Sequence, residues 1–169
     1  GAEKVVGTAL KELDDSLKEQ LFIVTKVLPT NASFQGVIES CEHSLKRLGL
    51  DFIDLYLLHW PSPIPLQETI NAFRNLQLSG KIRYFGLSNF STHEMAECYR
   101  CNGGEDLVTN QILYNLSRRG VEWDLIPECK KRGIPVMAYS PLEQGRLEKL
   151  HVLSLLATRH GVKPLQIAL

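Results

Sequence analysis

At 169 residues and 44% hydrophobic composition, the chain is long enough to bury a sizeable core and too short for two ordinary domains, so one domain over residues 1–169 is expected. Lys plus Arg and Asp plus Glu number 19 each, a balance that offers nucleic acid or an anionic membrane no electrostatic attraction and points to a small-molecule partner. No apolar run reaches the roughly 18 residues that span a bilayer, and the opening GAEKVVGTALKELDD is too charged for a secretory signal.

Taken in order, the first apolar run is LFIVTK, a strand expected to begin near Leu21. A helix is predicted over 34–48, where Val37, Ile38, Cys41, Leu45 and Leu48 form one stripe opposite Glu39, Glu42, Lys46 and Arg47, and Gly49 stops it. The second run, FIDLYLLHW, starts near Phe52 and leads through Pro61, Pro63 and Pro65 to a helix over 66–78 that ends at Ser79-Gly80. IRYFGLSNF from Ile82 precedes a helix over 91–101, LVTNQILY from Leu107 precedes one over 121–132 closed by Gly133, and IPVMAYSPL follows from Pro135. These runs read as continuous apolar stretches, the pattern of strands buried on both faces of a parallel sheet. Each strand–helix unit takes about 25 to 30 residues, the size of a βα repeat, so the chain is α/β. A complete eight-unit barrel needs about 250 residues. Length alone therefore favours an open sheet, with a barrel possible only if parts of it lie outside these residues.

The cysteines, Cys41, Cys98, Cys101 and Cys129, fall in segments that read as helical, which suits reduced thiols and a cytoplasmic protein. Cys98 and Cys101 form a C-x2-C, but zinc needs a second ligand pair and redox sites place the motif where a helix starts. They are read as incidental, and no metal site is expected.

Chemistry gathers at the carboxyl ends of the strands. The runs end in Lys26, in His59-Trp60, in Ser88-Asn89, in Asn110-Gln111 and in Tyr139-Ser140. In parallel α/β folds that rim carries the active site. Partial burial at the end of an apolar strand should lower the Lys26 pKa, and its ammonium would lower that of a nearby phenol or alcohol. His59, between Leu57-Leu58 and Trp60, can offer a ring N–H to a substrate oxygen inside an apolar wall; a histidine bonded to backbone in the core is the plainer alternative. Ser88, Asn89 and Gln111 supply donors and acceptors that suit a carboxamide, and Tyr139 can stack on a flat heteroaromatic ring. Together they describe a nicotinamide pocket. The turn Ser140-Pro141-Leu142-Glu143-Gln144-Gly145 then lets backbone approach a phosphate at Gly145. There is no G-x-G-x-x-G and no P-loop, so a dinucleotide would bind without the Rossmann device.

The segments FIVTK, LDFIDLYLLHWP, GKIRYFGLSNF, VTNQILYNLSRRG and MAYSPLEQG resemble, in order and spacing, the aldo-keto reductases, and most of all the bacterial branch that acts on small ketoaldehydes and diketo acids. The resemblance covers essentially the whole chain. It implies a partial (β/α)8 barrel of about five parallel strands, with barrel strands one, two and eight outside these residues, and NADPH as cofactor. It places the tetrad lysine and histidine on Lys26 and His59 and the substrate-pocket tryptophan on Trp60. The cofactor residues fall on Ser88, Asn89, Gln111 and Tyr139, and the loop residues Ser140, Leu142 and Gly145 are carried with them. The family's proton-donating tyrosine and its paired aspartate would precede Gly1, and Tyr56, three residues before His59 in mid-strand, cannot replace the tyrosine. The expectation is an NADPH-dependent reductase of small carbonyl compounds, a monomer when complete, whose 169 residues alone are inactive. Two rivals stay open: a Schiff-base aldolase using Lys26 as nucleophile, and a cofactor-binding or interaction subunit without turnover.

Overall fold

The computed structural model describes residues 1–169 and follows the strand–helix alternation expected from the apolar runs. The chain divides into two units, Gly1–Thr109 and Asn110–Leu169.

The first unit contains α1 (Ala2–Lys11), α2 (Asp15–Lys18), β1 (Val24–Val27), a 3-10 turn at Pro29–Asn31, α3 (Phe34–Leu48), β2 (Ile53–Leu58), α4 (Leu66–Leu78), β3 (Ile82–Ser88) and α5 (Thr92–Cys98). Strands β1, β2 and β3 are parallel neighbours, and the register puts Lys26, Leu57 and Gly86 in one cross-strand row. All six residues of β2 are buried, as a strand between two parallel partners requires. On one face of the sheet Phe73 of α4 stacks on Phe85 at 5.3 Å between centroids and meets Tyr56 edge-on at 5.8 Å. Near the amino ends of the strands, the buried Asp54 accepts hydrogen bonds from Ile23 N and Arg83 Nη1, both at 2.8 Å, so three strands are tied at the end opposite their polar termini.

Local signals set the helix limits. Ser33 caps α3 by accepting from Gly36 N, and Gly49 closes it in the left-handed conformation that glycine adopts without strain. Ser91 and Glu94 form a capping box at the start of α5. The helix predicted over 91–101 ends at Cys98, because the chain tightens to i→i+3 bonds (Cys101 N to Cys98 O, 3.0 Å) and turns back. At Gly104 a Cβ would lie 1.9 Å from the Cys98 carbonyl, so only glycine permits that return.

The second unit contains β4 (Asn110–Leu113), a 3-10 turn at Gly120–Glu122, α6 (Leu125–Lys131), β5 (Val136–Tyr139), a kinked 3-10 segment at Glu143–Lys149, α7 (His151–His160) and α8 (Pro164–Ala168). Strands β4 and β5 are parallel, with Gln111 opposite Met137 and Leu113 opposite Tyr139. The helix predicted over 121–132 is broken by Asp124, whose φ of −139° lies outside the helical range and whose side chain accepts from Leu125 N to start α6. On α7, Val152 and Leu155 are 57% and 58% exposed, an apolar stripe facing outward. No helix is long and apolar enough to cross a membrane.

Candidate active site

In the first unit the carboxyl ends of the three strands bring Lys26, His59, Ser88 and Asn89 to one rim. Lys26 is the third residue of β1, His59 follows β2 directly, Ser88 ends β3 and Asn89 follows it. Three hydrogen bonds lock this arrangement. The His59 N–H donates to Val27 O at 2.9 Å, and Asn89 Nδ2 donates to His59 O at 3.0 Å and to Ser88 Oγ at 3.2 Å. Asn89 does this from the left-handed region (φ 61°), a conformation that asparagine tolerates better than most side chains.

Electrostatics at this rim follow from burial. Desolvation lowers the Lys26 pKa, and no carboxylate offsets it. His59 is also lowered, first by desolvation and then by the positive charge of Lys26, so the imidazole is neutral near pH 7 and one ring nitrogen carries a hydrogen to donate. The Trp60 ring lies 4.5 Å from the imidazole, tilted by 52°, and is 43% exposed. An open cleft of about 680 Å³ runs beside β1, with Lys26, His59, Asn31 and Phe22 among its walls. Tyr56, by contrast, is fully buried against α3 and α4 with its hydroxyl pKa driven up by burial, so it can neither reach the rim nor release a proton.

In the second unit Tyr139 ends β5, half-buried, and Ser140 follows in the left-handed region (φ 51°). Glu143, Gln144 and Gly145 also have positive φ (48°, 57° and 83°), so the loop is a tight, repeatedly reversed turn. Leu142 lies within it, half-buried. Gln111 departs from expectation. It is the second residue of β4 and not its end; the strand continues through Ile112 and Leu113, and Gln111 Nε2 donates to Met137 Sδ. An apolar run that meets an amide pair looks finished there, whereas ladder pairing continues through Ile112 and Leu113.

Residues not foreseen from the sequence hold the second loop. Asn115, buried, donates through Nδ2 to Ser140 O (3.0 Å) and to Glu143 Oε2 (2.6 Å), and Arg118 pairs with Glu143 Oε1 at 3.1 Å. The Asn115 amide, then Arg118, lowers the Glu143 carboxyl below the usual range. Tyr114-Asn115, directly after the last apolar residues of β4, was the local signal available; the pairing with Glu143 had none.

The aldo/keto reductase family profile matches residues 1–169. The chain belongs to the aldo/keto reductase family. Over 100% of its length it is 46% identical to methylglyoxal reductase YeaE of Escherichia coli, and over 99% it is 36% identical to glyoxal reductase of Bacillus subtilis. It spans 60% and 59% of the length of those relatives. Among solved structures, an aldo/keto reductase from Klebsiella pneumoniae in complex with NADP and acetate matches 99% of the chain with a TM-score of 0.93 at 42% identity, the chain covering 60% of that protein. The fold is accordingly that of strand–helix units of a (β/α)8 barrel, and the resemblance read from the strand-end motifs holds at the level of the family.

Proposed function

We propose that the protein carrying these residues is an NADPH-dependent reductase of small aldehydes and ketones, of the class to which methylglyoxal and glyoxal belong, built as one barrel domain and acting in the cytoplasm as a monomer. The observation that carries this is a desolvated lysine and a neutral histidine at the carboxyl ends of adjacent parallel strands, beside an exposed indole. Each unit separately carries groups of the kind the cofactor takes. Ser88 and Asn89 offer hydroxyl and amide groups at one strand end, Gln111 another amide, and Tyr139 a flat ring. Ser140, Leu142 and Gly145 lie in the loop that follows, where no atom lies within 4 Å of the position a Cβ would take on Gly145, leaving room for a phosphate against backbone.

When bound, the reduced nicotinamide supplies the hydride that the carbonyl carbon accepts. His59 donates its ring N–H to the carbonyl oxygen and so orients the substrate, while Trp60 forms an apolar wall. The Lys26 ammonium lowers the pKa of the acid that protonates the oxygen as reduction proceeds. Tyr56, buried away from the rim, is not that acid.

The test is NADPH oxidation by the full-length gene product with methylglyoxal, beside the His59→Ala variant. Turnover should fall by about 10²-fold or more while NADPH affinity changes little. Equal losses in both would remove His59 from its role. The lowered pKa of Lys26 also suits a Schiff-base nucleophile, so borohydride trapping of a substrate adduct on Lys26 would establish an aldolase instead. NADPH binding with no turnover on any small carbonyl would establish a binding subunit.

A further inference from the structure

We propose that Ser62 is a positioning residue that sets where the Trp60 indole stands against the substrate. Residues 60–65 read Trp-Pro-Ser-Pro-Ile-Pro, so three of six positions lack an N–H and have φ fixed by the ring. Ser62 is the one polar side chain between Trp60 and α4, and both its hydrogen-bonding capacities are engaged. Its Oγ donates to Pro29 O at 2.9 Å and accepts from Ile64 N at 3.1 Å. Pro29 opens the 3-10 turn after β1, two residues beyond the strand that carries Lys26. A single hydroxyl therefore joins the loop after the lysine strand to the loop after the histidine strand.

Trp60 stands at the solvent-facing end of that joint. Trp60 is 43% exposed and its indole lies 4.5 Å from the His59 ring, so the backbone on either side bears much of the task of placing it. A stiff proline-rich loop transmits the position of Ser62 to Trp60 with little room for local adjustment. The other clasps between these loops act farther along: Thr69 Oγ1 donates to Ala32 O at 2.6 Å, and Phe34 N donates to Glu68 Oε2 at 3.2 Å. They secure α4 against the turn, whereas Ser62 acts two residues from the indole. Losing its hydroxyl should let Trp60 drift from His59, weakening substrate binding without touching the groups that carry the reaction.

The inference rests on Trp60 being the substrate wall, and the experiment separates the two. Ser62→Ala, Ser62→Thr and Thr69→Val are made in the full-length protein. The isotope-labelled indole N–H resonance of Trp60, identified by its loss in Trp60→Phe, is followed by NMR, and KM, kcat and NADPH affinity are measured with methylglyoxal. Expected for Ser62→Ala are a shifted or broadened Trp60 resonance and a KM raised about five- to tenfold, the size of one lost hydrogen bond, with kcat within about twofold and NADPH affinity unchanged. Ser62→Thr, which keeps the hydroxyl, should restore both, and Thr69→Val should leave the Trp60 resonance in place. An unmoved resonance in Ser62→Ala, or an equal shift in Thr69→Val, overturns the role of Ser62. A moved resonance with unchanged KM leaves the coupling intact and removes Trp60 from the substrate wall.

Discussion

His59 and Lys26 each carry a burial penalty that pH can reveal. The folded-state pKa of His59 lies below its ordinary 6.5, so the unfolded chain binds the extra proton first and stability falls as pH drops through 6.5 toward the folded value. His59→Gln should therefore lose less thermal stability than the parent between about pH 7 and 5, measured as Tm against pH; parallel curves would mean that the imidazole is not desolvated. For Lys26, lowered from 10.5 by desolvation, the cost is present at neutral pH and relieved only as pH rises from the folded value toward 10.5. Lys26→Met should accordingly raise Tm at pH 7 while lowering turnover of the full-length enzyme by about 10²-fold or more. A lower Tm would show that the ammonium is stabilising where it stands. Few single changes separate function from stability so directly.

Between elements, two devices invite tests. In the row Lys26–Leu57–Gly86, a Cβ on Gly86 would come within 2.6 Å of Leu57 Cδ2 and 2.8 Å of Thr109 O, so Gly86→Ala must push Leu57 aside beneath the rim. A loss of about 1 to 3 kcal/mol in denaturant unfolding is expected, and no loss would mean that Leu57 repacks freely. Glu143 fastens the loop after β5 through Asn115 and Arg118, and Glu143→Ala should weaken NADPH binding by about tenfold in a fluorescence titration of the full-length protein. Unchanged affinity would make the fastening irrelevant to the cofactor. These devices also mark the limit of what the sequence discloses. Helices over 34–48 and 66–78 were legible to the residue because caps, glycines and prolines act locally, and the strand-end lysine and histidine stood out against long apolar runs. The pairing of Ser62 with Pro29 spans 33 residues and that of Asn115 with Glu143 spans 28, and no local pattern announces a partner so far away. Gln111 was misplaced for a related reason: a polar side chain within a strand looks like the end of one until the neighbouring strand is known.

As a whole, the 169-residue chain holds Lys26 and His59 at one rim while Tyr56, the tyrosine of the histidine strand, is buried away from it, and the chain should not oxidise NADPH with methylglyoxal at a measurable rate when purified alone. Turnover in the ordinary range of roughly 1 to 10³ s⁻¹ would mean that the proton donor lies within these residues after all. The outward stripe of α7 bears on how that experiment must be run. Acidic and basic side chains cancel and the isoelectric point is about 7.1, so at neutral pH no long-range repulsion keeps two copies apart while Val152 and Leu155 face water. Light scattering should report net attraction between molecules near pH 7, weakening as the solution is moved to about pH 9, and added salt near pH 7 should do little because there is no net charge to screen. The chain's colloidal optimum would then sit well away from its isoelectric point.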